Sequence, residues 1–131
     1  MIPQIIELGS IGSNDAGFIT VAEVNSKVPF EIKRVYWTYN TPQEVIRGHH
    51  AHKNLFQLII AVRGCVIFRM EDIGGHKFEF TLERPSYGLF IPPGYWRTIE
   101  LSEGAVLVSL ASMEYNEDDY IRDYEIFKNI K

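Results

Sequence analysis

The sequence predicts an all-β domain, folded as a sandwich or a barrel. Short runs rich in β-branched and aromatic residues succeed one another along most of the chain, some alternating in polarity and some continuously apolar. Turns bearing glycine or proline separate them, the pattern of many short strands. With 131 residues, 46% of them apolar, the chain can bury a real core. No repeat, low-complexity tract or linker divides it, so residues 1–131 are read as one domain.

Ile2, Ile5, Ile6 and Leu8 make a short apolar strand at the start. Such an end has to pair, and pairing within the barrel or exchange with a second subunit would both satisfy it. Residues 30–39 mix aromatic and β-branched side chains with alternating polarity. Residues 55–62 are an apolar run with Gln57 as the one polar residue; Arg63-Gly64 turns the chain and residues 65–70 return. Gly74-Gly75 makes the next turn, before alternation over residues 76–82. Residues 87–91 and 95–101 flank Pro92-Pro93-Gly94, a stiff turn, and residues 105–111 form a last apolar strand. The tail differs. Acids lead at Glu117, Asp118 and Asp119, and Ile121, Tyr124 and Phe127 recur at helical spacing, which predicts a helical turn or two over residues 117–127.

A net charge of −4 argues against a nucleic-acid partner, since nucleic-acid binders are usually basic. Cys65, the single cysteine, leaves no intramolecular disulfide and no cysteine-based zinc site, and reads as a small buried strand residue. The first residues lack the charged start and long apolar run of a secretion signal, and no stretch is long enough to span a membrane. The expectation is a cytoplasmic enzyme or binding domain with no membrane partner.

Three of the four histidines fall within Arg47-Gly48-His49-His50-Ala51-His52-Lys53. In an extended backbone residues i and i+2 share a face, so His50 and His52 project side by side. His49 points the other way and reads as structural; His76 follows a Gly-Gly turn and reads as surface. Imidazole titrates at about 6.5 when unperturbed and serves as acid or base near neutrality.

His50-Ala51-His52 with Gln57 and Gly64, and then Pro92-Pro93-Gly94-Tyr95-Trp96-Arg97, resemble the two motifs of the cupin family. Those motifs are His-x-His followed by Glu and Gly, and Pro-x-Gly-x-x-His. The resemblance implies a cupin jelly-roll barrel, here with a short helical C-terminal tail. Metal-binding cupins use the three histidines and the glutamate as ligands. In this chain Gln57 stands at the glutamate position and Arg97 at the third histidine position. A guanidinium has no free lone pair, and its charge repels a divalent cation. Two histidines and a neutral amide make a poor zinc or iron site, so no metal is expected. Arg97 suits an anion or a developing oxyanion instead.

Four stretches together resemble a narrower group, the WxcM/FdtA-like cupins known as dTDP-sugar 3,4-ketoisomerases. They are Pro29-Phe30-Glu31-Ile32-Lys33-Arg34-Val35-Tyr36, the run from Arg47 to Lys53, Gly88-Leu89-Phe90-Ile91-Pro92-Pro93, and Tyr120-Ile121-Arg122-Asp123-Tyr124-Glu125-Ile126-Phe127. The resemblance implies conversion of dTDP-4-keto-6-deoxyglucose to its 3-keto isomer, ahead of amination at C3 towards 3-amino-3,6-dideoxy sugars of surface glycans. It implies no metal or redox cofactor, and a homodimer that exchanges N-terminal strands.

Moving a carbonyl from C4 to C3 requires removing the C3 proton and returning one to C4 through an enediol or enediolate. His52 is the candidate carbon base, and His50 with Tyr36 would serve the oxygens. Arg34, Arg47 and Arg122 are candidates for the diphosphate, because the guanidinium fork matches phosphate oxygens. Arg97, Gln57 and Lys53 complete the substrate-binding set. Tyr36, Trp37, Phe56, Tyr115 and Tyr120 are the rings on which thymine could stack. Two departures bear on stereochemistry: Asp15-Ala16-Gly17 lacks an arginine that many members carry nearby, and Arg97 replaces a frequent histidine. Arg97 favours the gluco configuration at C4.

Three other readings compete. A dTDP-sugar 3,5-epimerase is also a metal-free cupin, but usually relies on a His–Asp dyad, and no such arrangement is visible in the motif region. A non-catalytic sugar-binding cupin would need the arginines but not two proton-transfer groups. A metal-dependent dioxygenase would have to accommodate Arg97.

Overall fold

The computed structural model describes residues 1–130. Its frame is eight consecutive strands: β4 (Arg34–Thr38), β5 (Ile46–His52), β6 (Gln57–Arg63), β7 (Val66–Glu71), β8 (Lys77–Leu82), β9 (Tyr87–Ile91), β10 (Trp96–Leu101) and β11 (Val106–Ala111). Strands β4-β11-β6-β9 pair in one sheet and β5-β10-β7-β8 in the other, which is the jelly-roll order the motifs implied. Every neighbouring pair is antiparallel. β1 (Gln4–Glu7) extends the first sheet beside β9, and β12 (Tyr120–Ile121) extends the second beside β5.

Two strand patterns follow from position in these sheets. β6 lies between β11 and β9 and is covered on both faces, so it needs an unbroken apolar run. Ile59 and Ala61 face the barrel core with Val66, Phe68, Leu89 and Leu107, while Leu58 and Ile60 pack outside against Leu8, Val28, Phe90 and Leu110. β8 is an edge strand with one covered face, and it alternates.

The structure differs from expectation in four places. The strand expected over 30–39 is shorter, because Phe30 and Ile32 pack onto the outer apolar cluster as irregular chain ahead of β4. A hairpin, β2 (Ile11–Ser13) with β3 (Gly17–Ile19), is present that the sequence did not signal. Cys65 is half-buried in the turn before β7 instead of buried in a strand. The tail is helical only in part. A 3₁₀ turn spans Glu117–Asp119, β12 is extended, and α1 covers Tyr124–Lys128 alone. Pairing of Tyr120 and Ile121 with His52 and Ala51 satisfies the β5 edge and overrides the local helical pattern. Asn116 and Asp123 then cap the two short helical pieces separately.

At the N-terminus, β1 pairs with β9 of the same chain, from Gln4 opposite Phe90 to Glu7 opposite Tyr87. No described helix is long and apolar enough to cross a membrane.

Candidate functional site

The site is set by an interruption in β5. Register against β10 steps from His50 opposite Arg97 to Gly48 opposite Thr98, so His49 is the extra residue of a bulge. Gly48 has φ of +91° and His49 of +56°. A Cβ on Gly48 would sit 2.8 Å from the Arg97 carbonyl oxygen, which explains the glycine. His49 is exposed, and its Nε2–H donates to the Ile46 carbonyl at 3.0 Å. Past the bulge, Ala51 is buried with Ile121 and Phe127, and His50 and His52 turn together to the other face. Their rings lie 4.9 Å apart and nearly perpendicular.

Between the two sheets lies a cavity of about 210 Å³, walled by Tyr36, Arg47, His50, Gln57, Arg97, Tyr120 and Arg122 among others. His50 is on this wall. His52 lies one layer deeper, 1% exposed, with the Tyr120 ring 4.4 Å from its own. A carbonyl can only accept, so the 3.0 Å contact of His50 Nδ1 with the Gly48 oxygen puts hydrogen on Nδ1 and leaves Nε2 a lone pair. Burial pushes the His50 imidazole down to about 3, with the Arg97 guanidinium next in effect. Burial and then Arg97 hold His52 down to about 2. Both rings are therefore neutral near pH 7 and able to accept a proton.

Arg97 is the largest fully buried side chain. Its Nε and Nη2 donate to the Tyr95 carbonyl at 3.3 and 3.2 Å, and Nη1 donates to Gln57 Oε1. Gln57 Nε2 donates in turn to the Tyr36 hydroxyl oxygen at 2.7 Å, leaving the Tyr36 hydroxyl hydrogen free for a guest. Burial lowers Arg97 to about 10, so the guanidinium still carries its charge at neutral pH. None of the ion pairs among the described residues includes Arg97. A buried cation without a carboxylate favours an anionic or strongly dipolar guest.

The other expected site residues are distributed unequally. Arg47 and Arg122 are exposed and border the cavity. Arg122 donates to Glu117 at 2.6 and 3.0 Å and lies over the Tyr120 ring at 4.1 Å. Arg34 lies outside the lining, between the rings of Tyr36 (5.1 Å) and Tyr115 (5.6 Å), with its Nε buried and unpartnered. Lys53 is exposed and does not border the cavity; only its backbone reaches the site region, donating to the Asp119 carbonyl at 2.9 Å.

Two further contributors come from the tail, and of these the sequence gives no sign of a role for Asp119. Tyr120 had been only one of several candidate stacking rings; it packs against both imidazoles. Asp119, 5% exposed, places Oδ2 3.2 Å from His52 Nδ1. The motif region itself contains no His–Asp arrangement, but the fold supplies one across 67 positions of sequence. That removes the sequence argument against an epimerase.

The donor set does not fit a metal ion. Gln57 is committed to Arg97 and Tyr36, and a buried guanidinium occupies the place of the third imidazole. Among the described residues no three His, Cys, Asp or Glu side chains converge as ligands.

The family model described as WxcM-like, C-terminal (FdtA) matches residues 1–131. The chain belongs to this family. It is 40% identical over 113 residues to a TDP-4-oxo-6-deoxy-α-D-glucose-3,4-oxoisomerase of Aneurinibacillus thermoaerophilus, covering 86% of this chain and 81% of the relative. Among solved structures it is similar to QdtA, a sugar 3,4-ketoisomerase from Thermoanaerobacterium thermosaccharolyticum in complex with TDP. There the TM-score is 0.92 at 36% identity, over 97% of this chain and 92% of that one. It is also similar to the WlaRB TDP-quinovose 3,4-ketoisomerase of Campylobacter jejuni, with a TM-score of 0.91 at 39% identity over 98% of both chains.

Proposed function

We propose that this protein is a dTDP-4-keto-6-deoxyglucose 3,4-ketoisomerase that works without a metal or redox cofactor. The observation that carries the reading is the pair of adjacent imidazoles beside a cavity bordered by arginines, in a chain of the FdtA family. His52 takes the C3 proton, and the electron pair forms the C3–C4 double bond of an enediolate. The Tyr36 hydroxyl protonates the C4 oxygen, and His50 Nε2 removes the proton from the C3 hydroxyl, so the two groups are left as tyrosinate and imidazolium until they exchange that proton back. Collapse to the C3 ketone returns the held proton to C4. Arg97 stabilises the enediolate charge through its guanidinium, and Gln57 orients Tyr36. Because His52 lies behind the wall, the sugar must seat against His50 and Tyr120 deeply enough to meet Nε2. Arg47 and Arg122, which border the cavity, hold the diphosphate; Arg34, outside the lining, is the weakest of the three candidates.

The gluco configuration at C4 is favoured, on Arg97 and on likeness to a TDP-quinovose enzyme. The 3-keto product suits amination at C3, towards 3-amino-3,6-dideoxy sugars of surface glycans, in a cytoplasmic setting. A homodimer with exchanged N-terminal strands belongs to the same reading. Ile11, Phe18 and Ile19 on the hairpin and Val35 and Trp37 on the outer side of β4 offer a second copy an apolar surface. Sedimentation velocity would return a monomer if that part is wrong.

The second reading is a 3,5-epimerase, and the His52–Asp119 pair is the observation in its favour. One experiment separates them. Incubation with dTDP-4-keto-6-deoxyglucose in D₂O, followed by NMR, should give a 3-keto sugar labelled at C4, whose couplings report the C4 configuration. Label at C3 and C5 with the 4-ketone retained would establish epimerisation. Binding without turnover would establish a non-catalytic sugar-binding protein.

A further inference from the structure

The carboxylate and the carbonyl of Asp119 are both aimed at the end of β5 and the residues after it. Oδ1 accepts from the Asn54 backbone N–H at 2.8 Å, Oδ2 lies 3.2 Å from His52 Nδ1, and the carbonyl accepts from Lys53 N–H at 2.9 Å. A carboxylate only accepts, so the hydrogen on the His52 ring sits on Nδ1 and the lone pair on Nε2. Nε2 is buried and has no partner. A buried imidazole nitrogen with nothing to bond is costly in a merely structural histidine.

We propose that Asp119 is a positioning residue for proton transfer, holding His52 in the tautomer whose Nε2 can accept a proton from carbon. This rests on the isomerase reading above. The Asn54 N–H makes the requirement strict. Asparagine at position 119 has the same shape but one oxygen and one NH₂. The Asn54 N–H can only donate, so it claims the amide oxygen and turns the NH₂ towards His52. Nδ1 must then accept, the ring hydrogen moves to Nε2, and the base is blocked without any change in packing.

The test compares wild-type protein with Asp119→Asn, with Asp119→Ala as a second variant that leaves both tautomers accessible. ¹⁵N NMR of the imidazoles reads the tautomer, calorimetry with TDP reads binding, and the NMR turnover assay gives kcat and KM separately. The expected result is Nδ1–H in the wild type and Nε2–H in Asp119→Asn, with TDP affinity and KM unchanged within about twofold. kcat falls on the order of 10³-fold, and Asp119→Ala lies between. Nε2–H in the wild type, retained Nδ1–H in Asp119→Asn, or a wild-type kcat in that variant would each overturn the inference. If the wild-type protein itself fails to isomerise the sugar, the isomerase reading falls, and this role with it.

Discussion

Two parts of the chain meet at His52, and they are held in different ways. The barrel strands place His50, Gln57, Arg97 and Tyr36 through long antiparallel ladders, bulged at His49, and a core shared by both sheets. The tail, residues 116–130, places Asp119, Tyr120 and Arg122 with far fewer supports. These are a two-residue strand, two capped helical pieces, the fully buried Phe127 and a surface cluster in which Tyr124 and Lys128 bond Glu71. The candidate site is therefore built partly on a rigid frame and partly on a strap with one main anchor. Frame substitutions should act on chemistry or global stability, whereas tail substitutions should act on both through His52.

The largest effect should come from the residue both parts share. His52→Asn is expected to lower kcat on the order of 10³-fold, with TDP affinity retained. Near wild-type turnover in the NMR assay would leave His50 as the carbon base and the tail as scaffolding. Next is the tail anchor. Phe127→Ala removes a buried ring packed against Trp96 and Tyr124 and should cost about 3–5 kcal/mol in urea unfolding. A cost below about 1 kcal/mol would show that the tail is held elsewhere.

On the frame side, Gly48→Ala forces a Cβ towards the Arg97 carbonyl at a backbone angle that disfavours side chains. It should cost about 1–3 kcal/mol by thermal melting, and turnover should fall with it because Arg97 and His50 pair across that point. The last effect is that of pH, which tests both histidines at once. Both histidine pKa values lie far below 6.5 in the folded protein, so the unfolded chain takes up protons first. Stability should be full above about pH 6.5 and fall as pH drops below it towards 3. Equilibrium unfolding from pH 7 to 4 checks the sign, and a rise in stability on acidification would contradict it.

The frame was largely legible in the sequence, and the tail was not. Alternation in β8, the unbroken run of β6 and the two motifs carried the jelly roll because each depends on neighbours in sequence or on a spacing within one strand. The pairing of His50 with His52 needed only the two-residue repeat of a strand. Asp119 could not be found that way. It sits in a run of three acids that reads as charge at a helix start, and its partner is 67 positions away. Tyr120 was hidden for a related reason: the helical spacing of Ile121, Tyr124 and Phe127 masks an extended pair that exists only because β5 has a free edge. Lys53 illustrates the reverse error. Its place beside His52 in sequence suggested the site, yet alternation along the chain turns it outward to solvent.

The inserted histidine of β5 has one more consequence. Residues three apart on an uninterrupted strand face opposite sides of the sheet, so Arg47 and His50 would diverge. One unpaired residue between them cancels a flip, and both border the same hollow. On the proposed reading, one short segment thus offers a single guest both a cationic grip and a proton-transfer group. Deleting His49 should therefore undo the alliance while leaving both side chains in the sequence.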